Sequence, residues 1–227
     1  IEFNRPFKKS GVWDGRGNII SKNKLSGKHV GAYVSFDTTD NGLVEVKVSS
    51  SFISHEQAWI NLYRELPKSK NFHEILAEGR KSWNNELSKI KVKAENTDYG
   101  LSNKIKFYSC FYRTILFPRQ FHEYNINGEQ IHYSPYNGEI LEGPLYTDNG
   151  FWDTFRAVFP FYTILYPEKL GEIMQGIMVN PYKESGWLPE WSSPGHRDCM
   201  IGSNSASIIA EAFLKGIKNF DIDVAYD

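Results

Sequence analysis

The sequence predicts a multidomain chain of α and β parts, β up to residue 53 and helical beyond it. Three observations carry this. In residues 28–36 and 43–50 apolar and polar side chains alternate, the period of a half-buried strand. After Ser54 the apolar residues recur at helical spacing instead. From Thr97 onward, helical runs alternate with long loops rich in aromatic and polar residues, which suggests a helical toroid with its site at one mouth. The predicted parts are 1–53, 54–96 and 97–227.

In the first part Val30, Ala32, Val34 and Phe36 share one face, and Val44, Val46 and Val48 are offset against Glu45 and Lys47. The turn Asp37-Thr-Thr-Asp-Asn-Gly42 between them predicts a hairpin. A lone hairpin is marginally stable, so a larger sheet is expected around it. Ser54-His-Glu-Gln57 matches a capping box and opens a helix with Ala58, Leu62 and Leu66 on its stripe. Asn71-Phe-His-Glu74 opens a second, with Ile75, Leu76, Ala77, Trp83 and Leu87, and residues 90–94 read as a short strand. His55 and His73 fall at the helix starts and read as solvated.

In the third part, residues 103–117 form a helix that stops at Pro118, followed by about thirty residues of loop, a length that points to function. Residues 151–166 form the next helix, kinked at Pro160, and Pro167 opens another through Met178. After a second loop Ser203 caps a helix over 206–217.

A net charge of −1 argues against a nucleic-acid surface. No apolar run approaches the roughly 20 residues of a membrane span. Cys110, in the apolar helical run 105–116, reads as a buried free thiol; a disulfide with Cys199 is the alternative, and two cysteines do not fix the compartment. The chain starts at Ile1 without a methionine and reads as a piece of something longer.

The chemistry concentrates in two stretches, Tyr146-Thr-Asp-Asn-Gly-Phe-Trp-Asp-Thr-Phe-Arg156 and Gly186-Trp-Leu-Pro-Glu-Trp-Ser-Ser-Pro-Gly-His-Arg-Asp-Cys-Met200. Carboxylates and arginine suit hydroxyl groups, and an indole suits the C–H face of a sugar. Trp152, Trp187 and Trp191 are read as core or as stacking platforms, with at least one platform among three indoles. Tyr133, Tyr136, Tyr146, Phe151 and Trp152 stand among Gly, Pro, Asn and Asp rather than aliphatic residues, unlike core. Asp148 is a helix cap or a ligand group, and Asp153, in the first turn of a helix, is a charge favoured by the helix dipole or a ligand contact. Arg197 and Asp198 reach separate partners, while Glu190 is a rim residue or a loop-stabilising acceptor. His196 has no second His, Cys or tight carboxylate cluster at ligand spacing, so no metal site is assigned. Phosphate loop, nucleophile elbow and CxxC motifs do not occur.

Phe151-Trp-Asp-Thr-Phe-Arg156 with Phe159-Pro160, the long second stretch, and Gly202-Ser-Asn-Ser-Ala-Ser-Ile-Ile-Ala210 resemble the family 92 glycoside hydrolases, exo-acting calcium-dependent α-mannosidases. The resemblance implies an N-terminal β-sandwich ending in 1–53, a helical linker over 54–96 and the first part of an (α/α)6 catalytic toroid over 97–227. It implies that Trp152, Asp153, Arg197 and Asp198 line the subsite for the terminal mannose of a mannose-containing glycan, α-1,2-linked. Hydrolysis would proceed with inversion, with calcium as cofactor held mainly by groups outside this chain, in an extracellular or periplasmic setting. The family's general acid lies in a Glu-Gly-Asn-Ala-Trp-type motif and its base in a Gly-Asn-(Glu/Asp)-Asp-Cys-Gly-type motif. Neither occurs before Asp227, so no catalytic residue is assigned and the stretch alone is expected to be inactive. A non-catalytic carbohydrate-binding module and another (α/α)6 glycosidase are the alternative readings.

Overall fold

The computed structural model describes residues 1–39 and 42–226. Its strands β1 (Glu2–Phe3), β2 (Lys9–Trp13), β3 (Ile19–Ile20), β4 (Gly31–Ser35) and β5 (Val46–Lys47) precede the first helix. Of the two alternating segments only Gly31–Ser35 and Val46–Lys47 are strand, and they do not pair as a hairpin. β4 runs antiparallel to β2 (Lys9↔Ser35), and β5 runs antiparallel to β1 (Glu2↔Lys47). A solvent-exposed tie adds to this pairing: the Asp37 carboxylate binds Lys8 Nζ at 3.0 Å, beside the start of β2, and accepts from Thr39 at 2.8 Å. The end of β4 is thereby tied to β2. Asp40 and Asn41 of the predicted turn lie outside the described residues. The predicted apolar face of β5 is not core, since Val46 and Val48 are 50% and 60% exposed.

Lys47, predicted on the polar face, does more than solvate. Its ammonium donates to the carbonyls of Leu66, Pro67 and Lys70 at 3.3, 2.8 and 3.2 Å, anchoring β5 to the turn after the first helix. That helix, α1 (His55–Glu65), is capped by Ser54 Oγ, which accepts from Gln57 N at 3.0 Å. The reciprocal half of the box is missing: the Gln57 side chain donates to Asn61 and to the Tyr124 carbonyl instead. α2 (Phe72–Leu87) carries the full reciprocal box between Asn71 and Glu74. None of its described residues is fully buried, so its predicted stripe is only a partial seam. Residues 90–94 form no strand; Tyr108 Oη donates to the Ile90 carbonyl there at 2.9 Å.

α3 (Asp98–Thr114) begins five residues before the predicted start, because Thr97 Oγ1 caps Gly100 N at 3.0 Å. A side chain at Gly100 would strike the Glu95 carbonyl, so glycine permits this tight entry. The predicted thirty-residue loop carries a series of short strands. β7 (Glu123–Tyr124), β8 (Gln130–Tyr133) and β9 (Ile140–Glu142) form an antiparallel sheet, and β6 (Arg119–Gln120) pairs with β10 (Tyr146–Thr147). Strands of two to four residues are too short to show a period.

The next strand, β11 (Asn149–Gly150), runs into α4 (Phe151–Thr154), which is separate from α5 (Val158–Leu165). The single kinked helix expected here breaks before Pro160 rather than at it. Proline lacks an N–H and its ring crowds the carbonyl four residues back, so it sits in the first turn of a new helix. α6 (Pro167–Met174) opens at Pro167 as expected, then passes through a π turn (Gln175–Val179) into α7 (Asn180–Ser185). Pro181 cannot donate into the regular ladder, and the π turn just before it absorbs the change of register. Gly186, at φ 79°, ends α7. β12 (Trp191–Ser192), α8 (Asn204–Leu214) and α9 (Ile222–Tyr226) follow. Ser203 precedes α8 without capping it, and the helix ends three residues short of 217.

The principal core joins Tyr146, Phe151, Phe159, Tyr162, Leu170, Met174, Ile177, Met178 and Ile208. It lies beneath the ends of β10, α4 and α7, from which the two polar and aromatic stretches emerge. Among the described residues no helix is long and apolar enough to cross a membrane.

Candidate functional site

The two stretches, distant in sequence, are stitched side by side. β11 pairs with β12 antiparallel, Asn149 opposite Ser192 and Gly150 opposite Trp191. Phe151 N donates to the Glu190 carbonyl at 3.2 Å, Thr147 Oγ1 to the Pro194 carbonyl at 2.9 Å and Arg197 N to the Trp191 carbonyl at 3.0 Å. Gly150 makes the close approach possible. A Cβ there would lie 3.1 Å from Asp153 Oδ2 and 3.3 Å from the Trp191 ring, so the carboxylate and the indole flank one bare Cα.

Trp152, Asp153, Arg197 and Asp198 are all exposed. Among the described residues the side chains of Asp153, Arg197 and Asp198 have no hydrogen-bond or ion-pair partner. Trp152 is 41% exposed and Trp187 75%, while Trp191 is half-buried; none of the three indoles belongs to the core. The Arg156 guanidinium stacks over Trp152 at 4.9 Å and donates to its carbonyl, holding the indole in place. The i, i+4 spacing of Trp152 and Arg156 on a helix start is the sequence signal for that pair.

Several residues buttress this surface; among them sequence reasoning left His132, Glu184 and Ser185 unread. Asp148 does not cap α4: its carboxylate binds Arg119 and accepts from Ser193 Oγ at 2.7 Å. Glu190 resolves as a loop-stabilising acceptor, taking Asn204 N and Ser205 Oγ at 3.3 Å each and so serving the start of α8. His196 bonds Ser185 Oγ at 2.9 Å and meets the Tyr136 ring edge-on at 4.8 Å. Burial holds the His196 imidazole below its ordinary pKa, against the opposing pull of Asp198. Burial pushes the Tyr136 phenol up to about 12, and its hydroxyl lies 3.3 Å from Ser192 Oγ. Beneath them His132, fully buried, bridges the Gly143 carbonyl and Glu184, each at 2.9 Å. Tyr146 and Phe151, read from their polar neighbours as unlike core, are core; Tyr133 and Trp152 stay exposed. Neighbour composition misled because β10 buries both Tyr146 and Thr147, and α4 turns Phe151 alone inward.

Comparison with known proteins decides the family. Residues 57–227 match the glycosyl hydrolase family 92 catalytic domain. The chain belongs to glycosyl hydrolase family 92. A solved family GH92 inverting mannosidase from Bacteroides thetaiotaomicron is 40% identical, with a TM-score of 0.87 over 99% of this chain and 30% of that one. A GH92 α-mannosidase from the same bacterium shares the fold at 22% identity, with a TM-score of 0.74 over 99% of this chain and 30% of that one. An uncharacterized secreted glycosidase of Arthroderma benhamiae is 27% identical over 205 residues, 87% of this chain and 21% of that protein. The chain thus spans less than a third of these relatives.

Within this family 92 chain, the exposed groups offer one acceptor pair at Asp153, a second at Asp198, a donor fork at Arg197 and a flat apolar face at Trp152. Unpaired charged groups beside an indole suit a polyhydroxylated ligand. Calcium, implied by the resemblance, finds no cage here. Among the described residues no three His, Cys, Asp or Glu side chains cluster as metal ligands, whereas calcium takes six to eight oxygens. Cys110 and Cys199 are both free and exposed, which corrects the buried reading of Cys110. Phe111, the next residue on α3, takes the core-facing position.

Proposed function

We propose that the intact protein is an exo-acting, inverting α-mannosidase that removes terminal α-linked mannose, with preference for α-1,2 linkages, from glycans. This chain supplies part of the subsite for the terminal mannose, and the general acid and base come from other parts of the protein. Asp153 accepts from two adjacent hydroxyls, Arg197 and Asp198 engage further ones, and Trp152 stacks on the C–H face. Each charge-assisted bond in such a site contributes roughly 1.5–3 kcal/mol. The single observation carrying this reading is the pairing of Gly150 with Trp191, which sets the two stretches side by side while Asp153 and Arg197 keep their side chains unpaired.

The same reading takes 1–53 as the end of a β-sandwich, 54–96 as a helical linker and 97–227 as the first part of an (α/α)6 toroid. It takes calcium as bound by groups outside those described, and the setting as extracellular or periplasmic. Support comes from the family membership and from the likeness to a solved inverting mannosidase at 40% identity. Inversion means that water attacks the face opposite the leaving group, activated by a base while an acid protonates the leaving oxygen. Proton NMR of the intact protein acting on α-1,2-mannobiose tests it. β-Mannose appearing before mutarotation is expected. First appearance of α-mannose, or no release of mannose, would refute the proposal.

A further inference from the structure

Asp148 stands out where the two stretches meet. It lies between β10 and β11 in the left-handed region, at φ 60°, a conformation uncommon outside glycine and tolerated by aspartate through local bonding. Its carboxylate is shared between two elements: one oxygen takes the Arg119 guanidinium from β6, the other takes Ser193 Oγ at 2.7 Å, just beyond β12. The side chain is mostly covered, whereas that of Arg119 is mostly exposed. On one side Thr147 lies opposite Arg119 in the β10–β6 pair; on the other Thr147 Oγ1 donates to the Pro194 carbonyl. The carboxylate therefore closes a short ring of bonds over the turn that carries Trp152 and Asp153. That ring fastens the turn to the loop leading to Arg197 and Asp198.

We propose that Asp148 is a positioning residue, whose carboxylate clasps Arg119 and Ser193 to fix the Arg197–Asp198 loop against the Trp152–Asp153 turn. The proposal rests on the mannose subsite argued above. Asp148 touches no sugar in it; the residue acts through the loop. Aspartate suits the position twice, tolerating the left-handed turn and offering two acceptors, where glycine would supply only the turn.

The test uses the intact protein with Asp148→Gly, Asp148→Asn, Ser193→Ala and the Asp148→Gly/Ser193→Ala double variant. Two readouts are taken, amide hydrogen exchange at Ser193 and Arg197, and kcat/KM on an α-mannoside. Asp148→Gly keeps the turn but removes both acceptors, so exchange at both amides is expected to rise about tenfold. In the same variants kcat/KM is expected to fall about tenfold, mainly through KM, with the double variant no worse than Asp148→Gly. Asp148→Asn, which keeps an acceptor for Ser193, is expected to fall between wild type and Asp148→Gly. Unchanged exchange in Asp148→Gly or Ser193→Ala, or additive losses in the double variant, would overturn the clasp. If the wild-type protein releases no mannose, the subsite reading fails instead, and exchange alone decides whether Asp148 holds the loop. Should Asp148→Gly not fold, Asp148→Asn and Ser193→Ala carry the same comparison.

Discussion

Replacing Gly150 with alanine separates the demands of the fold from those of the site. Gly150 has φ −101° and ψ 118°, ordinary extended backbone that alanine adopts without strain. The new methyl would stand 3.1 Å from Asp153 Oδ2 and 3.3 and 3.4 Å from two atoms of the Trp191 ring. Comfortable separations are about 3.5–4.0 Å, so each neighbour has to yield by roughly 0.3–0.5 Å. Losing glycine's freedom in the unfolded chain stabilises by about 0.4–1 kcal/mol, which offsets much of that crowding. The melting temperature should therefore hardly move. A misplacement of about 1 Å at a reacting site costs on the order of 100-fold, so half of that predicts roughly a tenfold loss in kcat/KM on an α-mannoside. Steady-state kinetics and a thermal melt on the same preparation give both numbers. Wild-type kcat/KM in the alanine variant would show that turnover does not need the Asp153 carboxylate and Trp191 in this geometry.

Glu190→Ala removes the acceptor for Asn204 N and Ser205 Oγ at the start of α8. A loss of about 1 kcal/mol in a urea titration is expected, the usual cost of an N-terminal cap; no loss would return Glu190 to the rim. His122 is held below its ordinary 6.5, first by burial. An unfolded chain then binds the proton that the folded one refuses, so stability is full above about pH 6.5 and declines as pH falls below it. Melts between pH 7.5 and 5 should show this decline, and His122→Gln should flatten it; an unchanged slope would contradict the assignment.

Local chemistry was legible and long-range pairing was not. Ser54, Asn71 and Pro167 announce helix starts because a cap or a first-turn proline acts within three or four residues. The partner of β4 is β2, with Lys9 opposite Ser35, a long-range register that no periodicity records. The short strands between Arg119 and Gly150 have too few residues for alternation to show. For the site, the residue types in the two stretches pointed to sugar chemistry, yet their pairing rests on the Gly150–Trp191 ladder and on Asp148, whose bonds lie 29 and 45 residues off in sequence. Cys110 was misread because an apolar run marks a helix but not which of its faces meets the core.

The central claim is that Asp153 and Arg197 hold the terminal sugar. Asp153→Ala in the intact protein tests it most directly, with kcat/KM on an α-mannoside and a thermal melt measured together. One lost charge-assisted bond of roughly 1.5–3 kcal/mol predicts about one to two orders of magnitude in kcat/KM with the fold intact. A charge that served only the helix start would cost about 0.3–1 kcal/mol of stability and no turnover. Wild-type kcat/KM with a lowered melting point would remove Asp153 from the site.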